Sequence, residues 1–388
     1  MLPFANTTNH QNAALQKAKT ILIDNNVLHA CEDFRDKNDP SVSFIEECFN
    51  PERVSNEIRL YNRDTVIITD TNIIARMEDI LRKGHGQDLT PNELSVICMI
   101  ILGRHSDVKI TPGFGLFENL STAKGSKHWV NSYHAYDYLW TKASINDLST
   151  AVFTKLVPKW EVAITDVPRK YPKIKKIIKR SKAGTRQNAE LHSAIIAATI
   201  EKKYGADADP NLKFIEFIKA IHDKGAFALG SIKYFGLYFS DNYQNFGTTK
   251  KGMLKKFNSS RDKVIEGVLN AAYDCWFVSE FASSINESRN NKETRIFATL
   301  DNALKSILTK EFSDRDLWRS GISEILERIR GMPTPDQATA ILNKTLLASD
   351  RYVERPKLRS GAVRFNKNQE TAIKEAWRDL EAFIPTTT

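Results

Sequence analysis

Two short apolar runs constrain this chain most: Asp64-Thr65-Val66-Ile67-Ile68-Thr69 and Arg295-Ile296-Phe297-Ala298-Thr299-Leu300. Both read as buried β-strands, short and rich in β-branched or apolar residues. A third strand candidate, Val108-Lys109-Ile110-Thr111, lies between them. Strands of this kind separated by helical stretches predict an α/β fold around a mainly parallel sheet. In open α/β sheets, ligands bind outside the carboxyl ends of the strands. An acid stands at that end in both runs, in Asp70-Thr71-Asn72 and in Asp301-Asn302-Ala303-Leu304. Taken singly, a strand-end Asp is as readily the cap of the next helix.

Two further acids stand in suggestive places. From Val264 to Phe281, apolar or small residues recur at 264, 267, 268, 271, 275, 278 and 281, the period of a helix face turned to a core. Asp274 lies inside that stripe, where an ionised carboxylate is costly unless it coordinates a metal or pairs with a buried Arg or Lys. Glu118 follows the third strand candidate and the turn Pro112-Gly113-Phe114-Gly115, on the first turns of the next helix, where a carboxylate also suits the helix dipole. If Asp70, Glu118, Asp274 and Asp301 converge, their mutual repulsion raises at least one pKa and a divalent cation restores full ionisation. Hard oxygen ligands with no His or Cys in the set suit Mg²⁺ or Mn²⁺ rather than Zn²⁺. Asn72, Thr71 and Thr299 are candidates to orient a water or a ligand, and also ordinary turn residues.

The order of these motifs resembles the PIN-domain nucleases. The resemblance is carried by Asp-Thr-Asn after an apolar strand, Glu after a Pro-containing turn, Asp within Asn270-Ala271-Ala272-Tyr273-Asp274, and Thr-x-Asp-x-x-Leu from Thr299 to Leu304. It covers about 61–120 and 264–310, and each motif is short. It implies a PIN-like α/β/α sandwich, Asp70, Glu118, Asp274 and Asp301 as carboxylates holding Mg²⁺ or Mn²⁺, and hydrolysis of phosphodiester bonds, chiefly in single-stranded RNA. Asn72 and Thr299 join the four acids as catalytic candidates. Two departures from the family pattern are visible. A long insertion separates Glu118 from Asp274, and no clear final strand follows Asp301.

Charge indicates where a polymer would lie. The chain carries a net charge of +9. Arg169, Lys170, Lys173, Lys175, Lys176, Lys179, Arg180, Lys182 and Arg186 form a run that no acid interrupts. Such a run attracts phosphate backbones without reading sequence, or else is a solvated helix face. Lys250, Lys251, Lys255 and Lys256 form a second concentration leading into the helix of Asp274. Before them come Tyr234, Phe235, Tyr238, Phe239, Tyr243 and Phe246, expected to fill the core of the insertion, with stacking on unpaired bases as the alternative.

The organisation reads as a helical and irregular segment over 1–60, a nuclease-like core over 61–120 and 263–312, a basic and mostly helical insertion over 121–262, and a helical segment over 313–388. Thr90, Pro91 and Glu93 open one helix as a capping box, helices are expected near 187–204 and 211–223, and an amphipathic one near 366–383. Ser313 to Asp316 and Thr334 to Gln337 resemble further capping boxes. No transmembrane run and no signal-like start is visible, and Cys31, Cys48, Cys98 and Cys275 stand too far apart for a zinc knuckle or disulfide frame, so a cytoplasmic protein is expected. There is no Gly-rich phosphate loop, which argues against a nucleotide-driven motor. The expected function is a metal-dependent endonuclease, acting on RNA in preference to DNA. The alternatives are a non-catalytic nucleic-acid-binding protein on the same fold, or a toxin or defence effector silenced by an unidentified protein partner or inhibitor.

Overall fold

The computed structural model describes residues 9–25, 29–32, 64–112, 125–161, 185–239 without 206, 225 and 227, 260–301 without 292, 367–384, and residues 49, 52, 54, 56, 59, 115, 116 and 304. The capping boxes expected at 313–316 and 334–337 lie outside these. The described chain is mixed α/β, predominantly helical, and divides into two units, residues 1–181 with 284–305 and residues 182–283 with 306–388.

The first unit holds a sheet in the order β1-β4-β2-β3, with β1 at His29–Glu32, β2 at Asp64–Thr69, β3 at Lys109–Thr111 and β4 at Glu293–Thr299. β2 runs parallel to both β3 and β4. Five consecutive residues of β2 are buried, as befits a central parallel strand covered on both faces. β1 pairs antiparallel with β4 and closes that edge, in a segment expected to be helical and irregular. His29-Ala30-Cys31-Glu32 carries no β-branched residue, so nothing local announces a strand, and its pairing with β4 supplies the backbone partners instead.

Helices cover the sheet for reasons legible in their ends. Helix α1 (Asn9–Asn25) buries Ala14, Ala18 and Leu22 and packs on α3 (Pro91–His105). Helix α2 (Thr71–Arg82) begins at Asp70 and buries Ile73, Ile74, Met77, Ile80 and Leu81 along one stripe. Helix α3 has Thr90 as its cap and Pro91 in its first turn; the Thr90 N–H donates to Glu93 at 2.7 Å, and Lys83 also bonds that carboxylate. Helices α4 (Gly125–Asp137) and α5 (Ile145–Thr154), joined by a π-helical turn at Tyr138–Lys142, belong to this unit. Trp129, Tyr138, Leu139, Leu148 and Val152 enter the same core as Ile67 and Ile296. Residues 125–161 are therefore part of the sheet's own covering, whereas the sequence grouped them with the insertion.

The second unit is helical. It comprises α6 (Thr185–Tyr204), α7 (Pro210–Asp223), α8 (Leu229–Tyr238), residues 261–283 of α9 (Arg261–Asn291) and α10 (Lys367–Glu381). Phe217, Phe235 and Phe239 meet at ring-centroid distances of 5.4, 5.9 and 6.4 Å, with Tyr234 against Phe235 at 5.1 Å. These aromatics fill the core, as the first of the two sequence readings has it; Tyr243 and Phe246 lie outside the described residues. Helix α8 meets α9 so closely that a Cβ on Gly230 would collide with the Cys275 carbonyl oxygen. Helix α10 packs along α6 and is tied by Lys224 to Asp379 at 2.7 Å and by Arg261 to Glu381. Among the described residues no helix is long and apolar enough to cross a membrane.

Candidate metal centre at the strand ends

Strand register builds the site. Thr69 of β2 pairs with Ala298 of β4, so the next residues, Asp70 and Thr299, fall side by side at the carboxyl ends of two parallel strands. The Asp70 N–H donates to the Ala298 carbonyl at 3.2 Å, which carries the ladder one step past Thr69. The chain bends at Leu300, just past the end of β4, and brings the Asp301 N–H back onto the Thr299 hydroxyl. The Thr299 hydroxyl joins the two acids: it donates to Asp70 Oδ2 at 2.5 Å and accepts the Asp301 N–H at 2.9 Å. Residues 229 positions apart in the chain thereby share one hydrogen-bonded corner.

Asp70 is 1% exposed and Thr299 0%. Asp70 Oδ1 accepts the Ile73 N–H at 2.9 Å and so caps α2, while Asn72 Nδ2 donates to Oδ2 at 3.4 Å. The cap reading of a strand-end Asp is thus realised at Asp70, whose other oxygen accepts from Thr299 and Asn72. Asp301, half-buried, likewise accepts the Leu304 N–H at 3.2 Å through Oδ1. Burial pushes the Asp70 carboxyl up to about 6, with the hydrogen bonds from Thr299 and Ile73 acting downward and the charge of Asp301 acting upward.

Comparison with the other buried acids makes Asp70 unusual. In the same unit, Glu78 is bonded by Arg82, and by Ser132 at 2.9 Å, and Glu93 by Lys83. Asp70 has no Lys or Arg partner among the described residues; its bonds come from Ile73, Asn72 and Thr299, and the same Thr299 hydroxyl holds the Asp301 backbone. Buried carboxylates are stable when paired or coordinating a cation. An acid pair with all-oxygen donors at the ligand-binding edge of a parallel sheet is a chemical fit for Mg²⁺ or Mn²⁺.

The remaining predicted residues are placed as follows. Asp274 belongs to the second unit, where it is half-buried and accepts from the Tyr234 hydroxyl at 3.4 Å. Its helix buries Val264, Val268, Ala271, Cys275, Val278 and Phe281, as the stripe predicts. Glu118, together with Arg169, Lys170, Lys173, Lys175, Lys176, Lys179, Arg180, Lys182, Lys250, Lys251, Lys255 and Lys256, lies outside the described residues; Arg186 is described only as part of the α6 backbone. The Thr71 hydroxyl donates to the Gly115 carbonyl at 3.3 Å. Among the described residues no three His, Cys, Asp or Glu side chains form a group suited to a metal.

Sequence reasoning missed Glu190. It is 2% exposed on α6 and accepts at the start of α8 from Gly230 N at 3.2 Å, Ser231 N at 2.8 Å and the hydroxyls of Ser231 and Ser279. Burial raises its pKa against these four donors. The signal was present: Glu190 precedes Ala194, Ala197 and Ala198 at helical spacing, the same pattern that marks Asp274. Comparison of the chain with family models, curated proteins and solved structures finds no match.

Proposed function

We propose that this chain is a metal-dependent nuclease of PIN-like α/β/α architecture that hydrolyses phosphodiester bonds in single-stranded RNA. The observation that supports it most is Asp70: a buried carboxylate at the carboxyl end of a parallel strand, joined through Thr299 to Asp301, where the other buried acids among the described residues of its unit, Glu78 and Glu93, pair with a cation. In this reading Asp70 and Asp301 hold Mg²⁺ or Mn²⁺, Thr299 links the two, and Asn72 donates to the same Asp70 oxygen as Thr299. A bound divalent ion would supply charge neutralisation, polarise a phosphate oxygen and acidify a water. Glu118 and Asp274 enter as sequence-based candidates only. The basic runs at 169–186 and 250–256 would hold the strand by its phosphates.

The test is cleavage of single-stranded RNA by the purified chain with Mn²⁺, with EDTA, and as Asp70→Asn and Asp301→Asn. Cleavage is expected with Mn²⁺ alone and to fall about 100-fold or more in either variant. Rates unchanged in both variants would remove the reading, and salt-sensitive binding without cleavage in any of them would favour a non-catalytic RNA-binding protein.

A further inference from the structure

We infer that Gly115 is a positioning residue for Asp70, held against it because no side chain fits between the two. The inference rests on the metal-site reading above and adds a residue from outside the strands to it.

A Cβ built on Gly115 would lie 2.6 Å from the Asp70 carbonyl oxygen, 2.8 Å from its carbonyl carbon and 2.9 Å from Ile74 Cγ1. The first two atoms are backbone, so they cannot swing aside as the end of a flexible side chain would. They are also pinned. The Asp70 N–H donates to Ala298 O at 3.2 Å, and the Asp70 carbonyl accepts the Ile74 N–H at 3.4 Å as the first bond of α2. On the other side of the contact, Leu116 N donates to Pro112 O at 2.9 Å, closing a turn around Gly115. The Thr71 hydroxyl then reaches across to the Gly115 carbonyl at 3.3 Å. The turn after β3 is thus clasped onto the one peptide that carries Asp70.

The geometric consequence concerns the two acids. Asp301 is anchored through β4 and Thr299, independently of the Gly115 contact. A methyl at 115 must displace the Asp70 peptide, which moves its carboxylate relative to Asp301, or push back the turn, which strains the Thr71 bond that clasps it. Metal sites tolerate displacements of only about 0.5 Å, and Mg²⁺ tolerates the least. Gly115 therefore sets the spacing of the acids through the backbone, while touching no ligand itself.

The experiment is calorimetric titration of the full chain with MnCl₂, for the wild type, Asp70→Asn, Gly115→Ala, Thr71→Val and Thr71→Ser, with a melting curve for each. Gly115→Ala is expected to weaken Mn²⁺ binding roughly tenfold or more while still melting cooperatively. Thr71→Val should weaken it roughly threefold, the effect of one lost hydrogen bond, and Thr71→Ser should restore it. A merely structural role would lower the melting temperature without moving affinity. Should Gly115→Ala fail to fold, the Thr71 pair decides, and wild-type affinity in Thr71→Val overturns the inference. Loss of Mn²⁺ in Asp70→Asn with full affinity in both Gly115→Ala and Thr71→Val also overturns it, leaving the metal site standing. Wild-type affinity in Asp70→Asn removes the metal reading and this inference together.

Discussion

Asp70 in the first unit and Glu190 in the second are both carboxylates buried without a Lys or Arg partner among the described residues, and they are solved in opposite ways. Glu190 is enclosed by four donors at the start of a helix, with Gly230 and Ser231 offering backbone N–H groups and Ser231 and Ser279 hydroxyls. Every lone-pair direction is used, and the helix dipole adds a partial positive charge. Asp70 also has donors, but a second acid stands at its side and contributes to its raised pKa. Glu190 is met by four donors and Asp70 by three, and in the proposed reading a cation completes the second set.

That contrast gives predictions of opposite sign. The largest effect is expected at Glu190→Ala, which takes the carboxylate from four buried donors: the Gly230 N–H keeps Ser279 Oγ and the Ser231 hydroxyl keeps the carbonyl of residue 190, but the Ser231 N–H and the Ser279 hydroxyl lose their acceptor. It should destabilise the protein by about 3–5 kcal/mol in urea unfolding, with Mn²⁺ affinity unchanged. A Mn²⁺ affinity that fell with it would break the separation between the two sites. Next comes Asp70→Asn. The ordinary value of 3.8 is raised to about 6 in the folded state, so the ionised carboxylate costs roughly 2–3 kcal/mol at neutral pH. Asn also caps helices well, so this variant should be more stable than the wild type in the absence of metal. Thr299→Val should cost about 1–2 kcal/mol and weaken Mn²⁺ binding, since it strips the donor from Asp70 and the acceptor from the Asp301 N–H.

The smallest effect lies in pH dependence. The Asp70 pKa is raised on folding, so its share of stability is full below about 3.8 and is lost as pH rises through about 6. His192, 2% exposed with Nε2 unpartnered, runs the other way. Burial, aided by Lys224, pushes it from 6.5 down to about 4, so its share is full above 6.5 and is lost as pH falls toward 4. Each slope is at most about 1.4 kcal/mol per pH unit, and between pH 4 and 6 they oppose. Urea unfolding across that window should therefore be flatter for the wild type than for Asp70→Asn, which keeps only the His192 slope.

What the sequence made legible follows from the range of the interactions. Strands β2, β3 and β4 and the cap at Thr90 are written in contiguous residues and appear where expected. The neighbourhood of Asp70, Thr299 and Asp301 was also readable, because strand-end position and parallel pairing together fix it. Strand β1 was not, since only its partner β4 gives it a reason to extend. Glu190 was passed over because its donors lie 40, 41 and 89 positions away, so its satisfaction is a purely tertiary fact. Gly115 escaped for a related reason: it acts through the absence of a side chain, which no motif of chemical groups records.

The most direct test of the account is thermal melting of the wild type and Asp70→Asn with and without saturating Mn²⁺. A cation that neutralises the acid pair binds only the folded state, and about 100-fold excess over its Kd should stabilise the wild type by roughly 2.7 kcal/mol. The wild-type melting temperature is predicted to rise on adding Mn²⁺ and that of Asp70→Asn to start higher and stay put. Equal shifts in both proteins, or none in the wild type, would contradict the claim that Asp70 is buried to hold a metal.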